Sequence, residues 1–125
     1  MQNERRAAIR SEAKRLEKYF IDSGALLLEA DSLLSAETLL DLYGEDIRAR
    51  AYVTHDPVMG ERMMRPDFTV PIVERHMSEG AEPARYTYNG PVWRMQDAGS
   101  KRETEFIQVG FELFDRSNSA KSDAE

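Results

Sequence analysis

The chain has 125 residues, 41% hydrophobic and 32% charged, with no cysteine; this is the balance of one soluble globular domain and excludes a disulfide framework, a thiolate metal site and a cysteine nucleophile. Its net charge of −6 argues against the basic footprint of a general nucleic-acid binder. No apolar run nears the roughly 18 to 20 residues of a membrane span, and the opening MQNERRAAIR is too charged for a secretory signal, so the expected setting is the cytoplasm, away from membranes.

Ile9, Ala13, Leu16 and Phe20 recur at helical spacing and predict an amphipathic helix ending near Ser23 and Gly24. The basic residues of this segment alternate with Glu4, Glu12 and Glu17, the pattern of a solvated helix face. After the glycine, the short apolar run Ala25 to Leu28 reads as a buried strand. Ser35 offers an N-cap to a short helix AETLLDLY, which Gly44 stops. RAYVT and RMM then flank HDPVMGE as a hairpin. Thr69 and Pro71 open a third helix that ends at Gly80.

The remainder reads as strand. Tyr86 and Tyr88 alternate with polar neighbours, Asn89-Gly90-Pro91 punctuates, and VWRMQ and TEFIQVGFELF are joined by the polar loop DAGSKRE. Residues 1–115 carry the domain, and 116–125, DRSNSAKSDAE without its first residue, read as a polar tail or linker. The two histidines lack metal-ligand spacing, so His55 reads as a turn residue and His76 as a helix-face residue, and no metal or other cofactor is expected. The order of elements fits an α+β class, an antiparallel sheet with flanking helices against one face.

Thr104 to Phe114 is the most informative stretch. Alternation gives Ile107, Val109, Phe111 and Leu113 to a core face and Phe106, Gln108, Gly110, Glu112 and Phe114 to the other. Two long polar side chains flanking a glycine suggest a ligand floor, with the glycine backbone open to a small molecule. Arg94 lies on the partner strand, and a near-symmetric register brings it close to Gln108. A guanidinium and a carboxylate converging there suit a zwitterionic, amino-acid-like ligand. An ordinary cross-strand ion pair on a solvated sheet is the open alternative.

Three segments in series, Met64 to Pro71 (MRPDFTVP), Gly90 to Arg94 (GPVWR) and Glu105 to Phe114 (EFIQVGFELF), resemble consecutive signatures of the histidyl-tRNA-synthetase-like family, in matching order and spacing. The resemblance implies part of a class II synthetase-like sheet, of which residues 1–115 would be the N-terminal part. It implies that Asp67 and Thr69 contact the α-amino group of histidine, joined by Gln108. It assigns Arg94, the motif 2 arginine, to an α-phosphate or carboxylate, Glu112 to the imidazole, and Arg102 to the mobile motif 2 loop.

Two departures separate branches of the family. Asp67 stands where the synthetases usually carry glutamate, and Gln96 replaces a glutamate that helps bind adenine, which puts ATP use in doubt. RPDFTVP and DLYGEDIRARAYVT look more like the regulatory branch, the subunit that supports a short catalytic ATP phosphoribosyltransferase and conveys feedback by histidine. That branch implies histidine as effector, a short-form catalytic subunit as partner, no catalytic residue and no tRNA. The family also implies a homodimer through Ala25 to Leu34, although the proline common in that motif is absent. An N-terminal fragment of an authentic histidyl-tRNA synthetase is the alternative. No motif 3 occurs within the chain, so aminoacylation by these residues alone is not expected.

Overall fold

The computed structural model describes residues 2–115, apart from the side chain of Glu79. Helix α1 (Gln2–Asp22) is followed by β1 (Leu26–Leu27), β2 (Leu33–Ser35), α2 (Ala36–Tyr43), a 3-10 turn (Glu45–Ala49), β3 (Val53–Asp56), β4 (Gly60–Met64), α3 (Thr69–Glu79), β5 (Ala84–Trp93) and β6 (Glu105–Phe114). The strands form two three-stranded sheets, ordered β1-β5-β6 and β2-β4-β3. The fold is α+β, as expected, but the single sheet is two.

The chain divides into two compact units. One is drawn from the residues up to Glu29, from Pro71–Gly90 and from Ile107 onward; the other comprises Ala30–Val70 and Pro91–Phe106.

In the first unit, β1 pairs with β5 in parallel, Leu26 opposite Tyr86 and Leu27 opposite Thr87. A wholly antiparallel sheet is therefore not what forms. β1 is also shorter than its apolar run and is not fully buried. Ala25 and Leu28 are buried while Leu26 remains 54% exposed, because β1 is an edge strand with one face uncovered. The apolar stripe of α1 is only partly used: Ala13 is buried, Ile9 is 39% exposed, and Phe20 stacks on Phe111 at 5.5 Å between centroids.

The second unit owes its core to Ala36, Leu39, Ile47, Ala51, Met63 and Val70, with Leu34, Leu40 and Tyr43 packed around them. Ser35 Oγ accepts the Thr38 N–H at the start of α2, and the Gly44 N–H returns to Leu40 O at its end. Gly44 has φ 77, a conformation that glycine adopts without steric cost. Both α2 boundaries match the sequence. The hairpin also forms, with Val53 opposite Met63 and Asp56 opposite Gly60. Asp56 Oδ1 accepts the amides of Val58 and Met59 and fixes the turn. His55 lies within β3, not in the turn. β2, which pairs with β4, was not foreseen, being too short to show periodicity.

β5 runs through Asn89-Gly90-Pro91 without a break. Proline is tolerated there because β1 pairs with β5 only at Tyr86 and Thr87, so the missing N–H falls beyond that stretch. β6 lies antiparallel to β5: Thr87 Oγ1 donates to Gly110 O, and the Arg94 N–H donates to Thr104 O. The expected tail, 116–125, lies outside the described residues.

Candidate functional site

The segment Arg65 to Thr69 joins β4 to α3 and carries two of the candidate residues, Asp67 and Thr69. Asp67 precedes α3 by two residues, and its Oδ1 accepts the Thr69 N–H at 3.0 Å. A short carboxylate closes this two-residue turn and supplies an acceptor to a helix start, where unpaired amides and the helix dipole favour negative charge. The Tyr43 hydroxyl donates to the same carboxylate, 3.2 Å from Oδ1 and 3.3 Å from Oδ2. Thr69 is exposed at the first position of α3.

Arg94 follows the last residue of β5. Its Nε donates to Pro66 O at 2.7 Å, and its guanidinium lies 5.3 Å from the centroid of the Phe106 ring. Asp67, Thr69 and Arg94 thus gather around one short loop. The register with Arg94 opposite Gln108 does not form, because the Arg94 amide is bonded to Thr104 O. Arg102 is in the same unit, exposed on the loop between β5 and β6, with its amide bonded to Ser100 Oγ.

Beneath this loop lies a residue that the sequence did not single out. Arg65 is 6% exposed. Its Nε donates to Pro91 O and its NH1 to Ala30 O, and its guanidinium lies over Phe68 at 4.4 Å and Trp93 at 5.7 Å. The Trp93 indole N–H is bonded to Glu105. The planar donor fork of arginine spans two carbonyls that a point charge could not satisfy together.

The first unit carries Gln108 and Glu112, both partly buried on β6. Gln108 Oε1 is buried without a hydrogen-bond partner, an acceptor that a ligand N–H would satisfy. The glycine between them does not serve as an open floor. A Cβ at Gly110 would run into the Tyr88 ring, so the space over the backbone is filled by the protein's own phenol. Nor is the far aromatic of that face free, because Phe114 stacks on His76 at 4.2 Å and meets Tyr86 edge-on at 5.6 Å. His76 is 3% exposed, with Nδ1 at 2.7 Å from the Tyr86 hydroxyl and Nε2 at 3.0 Å from Glu82. It lies on α3, as expected of a helix-face residue, but on the buried face as a core group.

Tyr43 is the other omission. Burial, then the Asp67 charge and hydrogen bond, push its phenol from 10.0 up to about 12, while Arg50 and the Thr69 hydroxyl act in the opposite direction. It therefore remains a proton donor throughout the neutral range. It stands 24 residues before Asp67, and no local spacing links two positions brought together by the packing of α2.

The model of the histidyl-tRNA synthetase family matches residues 1–125. An ATP phosphoribosyltransferase regulatory subunit from Brucella anthropi is 37% identical over 101 residues, covering 80% of this chain and 26% of the relative. The same-named protein of Brucella ovis is 36% identical over the same shares. The chain thus spans about a quarter of the length of these relatives. Among solved structures, a Bacillus halodurans protein described as an ATP phosphoribosyltransferase regulatory subunit/histidyl-tRNA synthetase is 25% identical with TM-score 0.68, covering 88% of this chain and 29% of its own. A histidine–tRNA ligase subunit from Alicyclobacillus acidocaldarius, 22% identical with TM-score 0.70, covers 91% of this chain and 33% of its own and speaks for the fold alone. With the RPDFT, VWR and EFIQVGFELF segments in their expected order and the class II synthetase-like fold formed around them, the chain belongs to the histidyl-tRNA synthetase family.

Proposed function

We propose that residues 1–115 are the N-terminal part of the synthetase-like domain of an ATP phosphoribosyltransferase regulatory subunit, which recognises histidine as an effector and modulates a separate short-form catalytic subunit in histidine biosynthesis. The observation that carries the reading is the loop at Pro66 to Thr69. Arg94 is tied to Pro66 O beside Asp67, so a cation and an anion are held around one loop, the arrangement a zwitterionic amino acid requires. The names of the Brucella relatives support the regulatory assignment.

In this reading Asp67 and Thr69 receive the α-ammonium group, Arg94 the carboxylate, and Glu112 the imidazole. The buried Oε1 of Gln108 supplies an acceptor, and Arg102 adds a loop contact. No bond is made or broken at these residues; differential binding of histidine shifts the equilibrium of the catalytic partner. Gln96 in place of the glutamate expected in a synthetase supports recognition without activation. The exposed Leu26 and Leu33 within Ala25 to Leu34 support a homodimer through that segment.

Calorimetry with histidine and with ATP tests the proposal. Histidine binding is expected, with Glu112→Gln weakening it by about 1.5–3 kcal/mol for a lost charge-assisted hydrogen bond. A solvated sheet surface would leave the variant unchanged. Tight ATP binding with ATP–pyrophosphate exchange would instead favour an authentic synthetase fragment.

A further inference from the structure

Asp67 is a shorter acid than the glutamate of the synthetases, and its carboxylate is already engaged twice, by the Thr69 amide and by the Tyr43 hydroxyl. An ionised carboxylate offers about four acceptor positions. The Thr69 amide takes one on Oδ1, and the Tyr43 hydroxyl is shared between Oδ1 and Oδ2. Acceptor capacity remains on Oδ2, and the amide and the phenol together fix the direction in which it points. Tyr43 itself is fixed from below: it packs against the cluster of Ala36, Leu39, Ile47, Ala51, Met63 and Val70. One phenol thus holds the carboxylate that also accepts the Thr69 amide, and both belong to the pair assigned to the ammonium group.

Resting on the histidine reading above, we propose that Tyr43 is a positioning residue that orients Asp67 towards a ligand's primary ammonium group, and thereby selects amino acids over their des-amino analogues. The selection is electrostatic and directional. A carboxylate free to rotate spreads its acceptors over many directions, whereas one held by a phenol and an amide presents a fixed acceptor to an –NH3+ group. The short aspartate is part of the same device, since the two-residue turn to the Thr69 amide requires it.

The test is calorimetric titration of the 125-residue chain, its Tyr43→Phe variant, Asp67→Asn and the double variant with L-histidine and with 3-(imidazol-4-yl)propionate, which lacks the ammonium group. The wild-type chain is expected to bind histidine at least tenfold more tightly than the analogue. Tyr43→Phe is expected to reduce that preference three- to tenfold while leaving analogue affinity unchanged, and to add no further loss in the Asp67→Asn background. Equal loss for both ligands means a merely structural tyrosine and overturns the inference, as does an unchanged preference. If the wild-type chain binds neither ligand, the histidine reading fails and the inference with it. Thermal melts of each variant identify any that unfolds. Should Tyr43→Phe do so, Tyr43→Met, which keeps an apolar side chain and likewise lacks a donor, takes its place with the same expected and overturning outcomes.

Discussion

At the scale of single residues, the Asp67 pair and Arg65 make the sharpest claims. Burial, first of all, pushes the Tyr43 phenol up from 10.0 to about 12 in the folded chain, because it disfavours the phenolate. The folded state therefore binds this proton more tightly than the unfolded one. The associated stability is complete below pH 10 and is lost as pH rises from 10 towards 12. Urea denaturation across that interval is expected to show a falling stability whose slope is reduced in Tyr43→Phe. Arg65→Met is expected to destabilise the chain by about 1–3 kcal/mol for each carbonyl it strands, at Ala30 and Pro91. Arg65→Lys should recover only part of the loss, since one ammonium cannot reproduce the fork. Denaturation midpoints at neutral pH check both. The sequence showed that Asp67 and Arg94 carry opposite charges, but not that the phenol of Tyr43 holds the first or that Pro66 O anchors the second, because those contacts join distant positions.

Among the elements, helix boundaries were legible because caps are local. Ser35 before α2 and Gly44 after it behave as their residue types dictate. α3 ends against Gly80 for a reason beyond capping. A Cβ there would press on the His76 ring, lie 2.7 Å from the Tyr86 hydroxyl and 2.8 Å from His76 O. Gly80→Ala is expected to cost about 1–3 kcal/mol, as overpacking in a filled core does. It should also disturb the His76–Tyr86 contact, visible as a shifted imidazole resonance in NMR. Strand continuity was not legible. Asn89-Gly90-Pro91 reads as a break, but β5 passes through it since its neighbour β1 is only two residues long. On β6, Gly110 is not the open floor that alternation suggested, since Tyr88 takes the place given to a ligand.

For the whole molecule, the histidine proposal has a thermodynamic consequence that needs no mutation. A ligand that binds only the folded chain stabilises it by about 2.7 kcal/mol at a hundredfold excess over Kd. A thermal shift that rises with histidine concentration, and is smaller at the same concentration of its des-amino analogue, is therefore expected. No helix among the described residues is long and apolar enough to cross a membrane. Family, fold class and the cap positions of α2 were determined by the sequence alone, because they rest on residue type, short spacing and periodicity. The tertiary structure alone decided that one expected sheet is two, that β1 joins β5 in parallel, that Gly110 is covered and that Tyr43 supports Asp67. Each of these depends on which distant segments pack together, and local sequence carries no direct record of that.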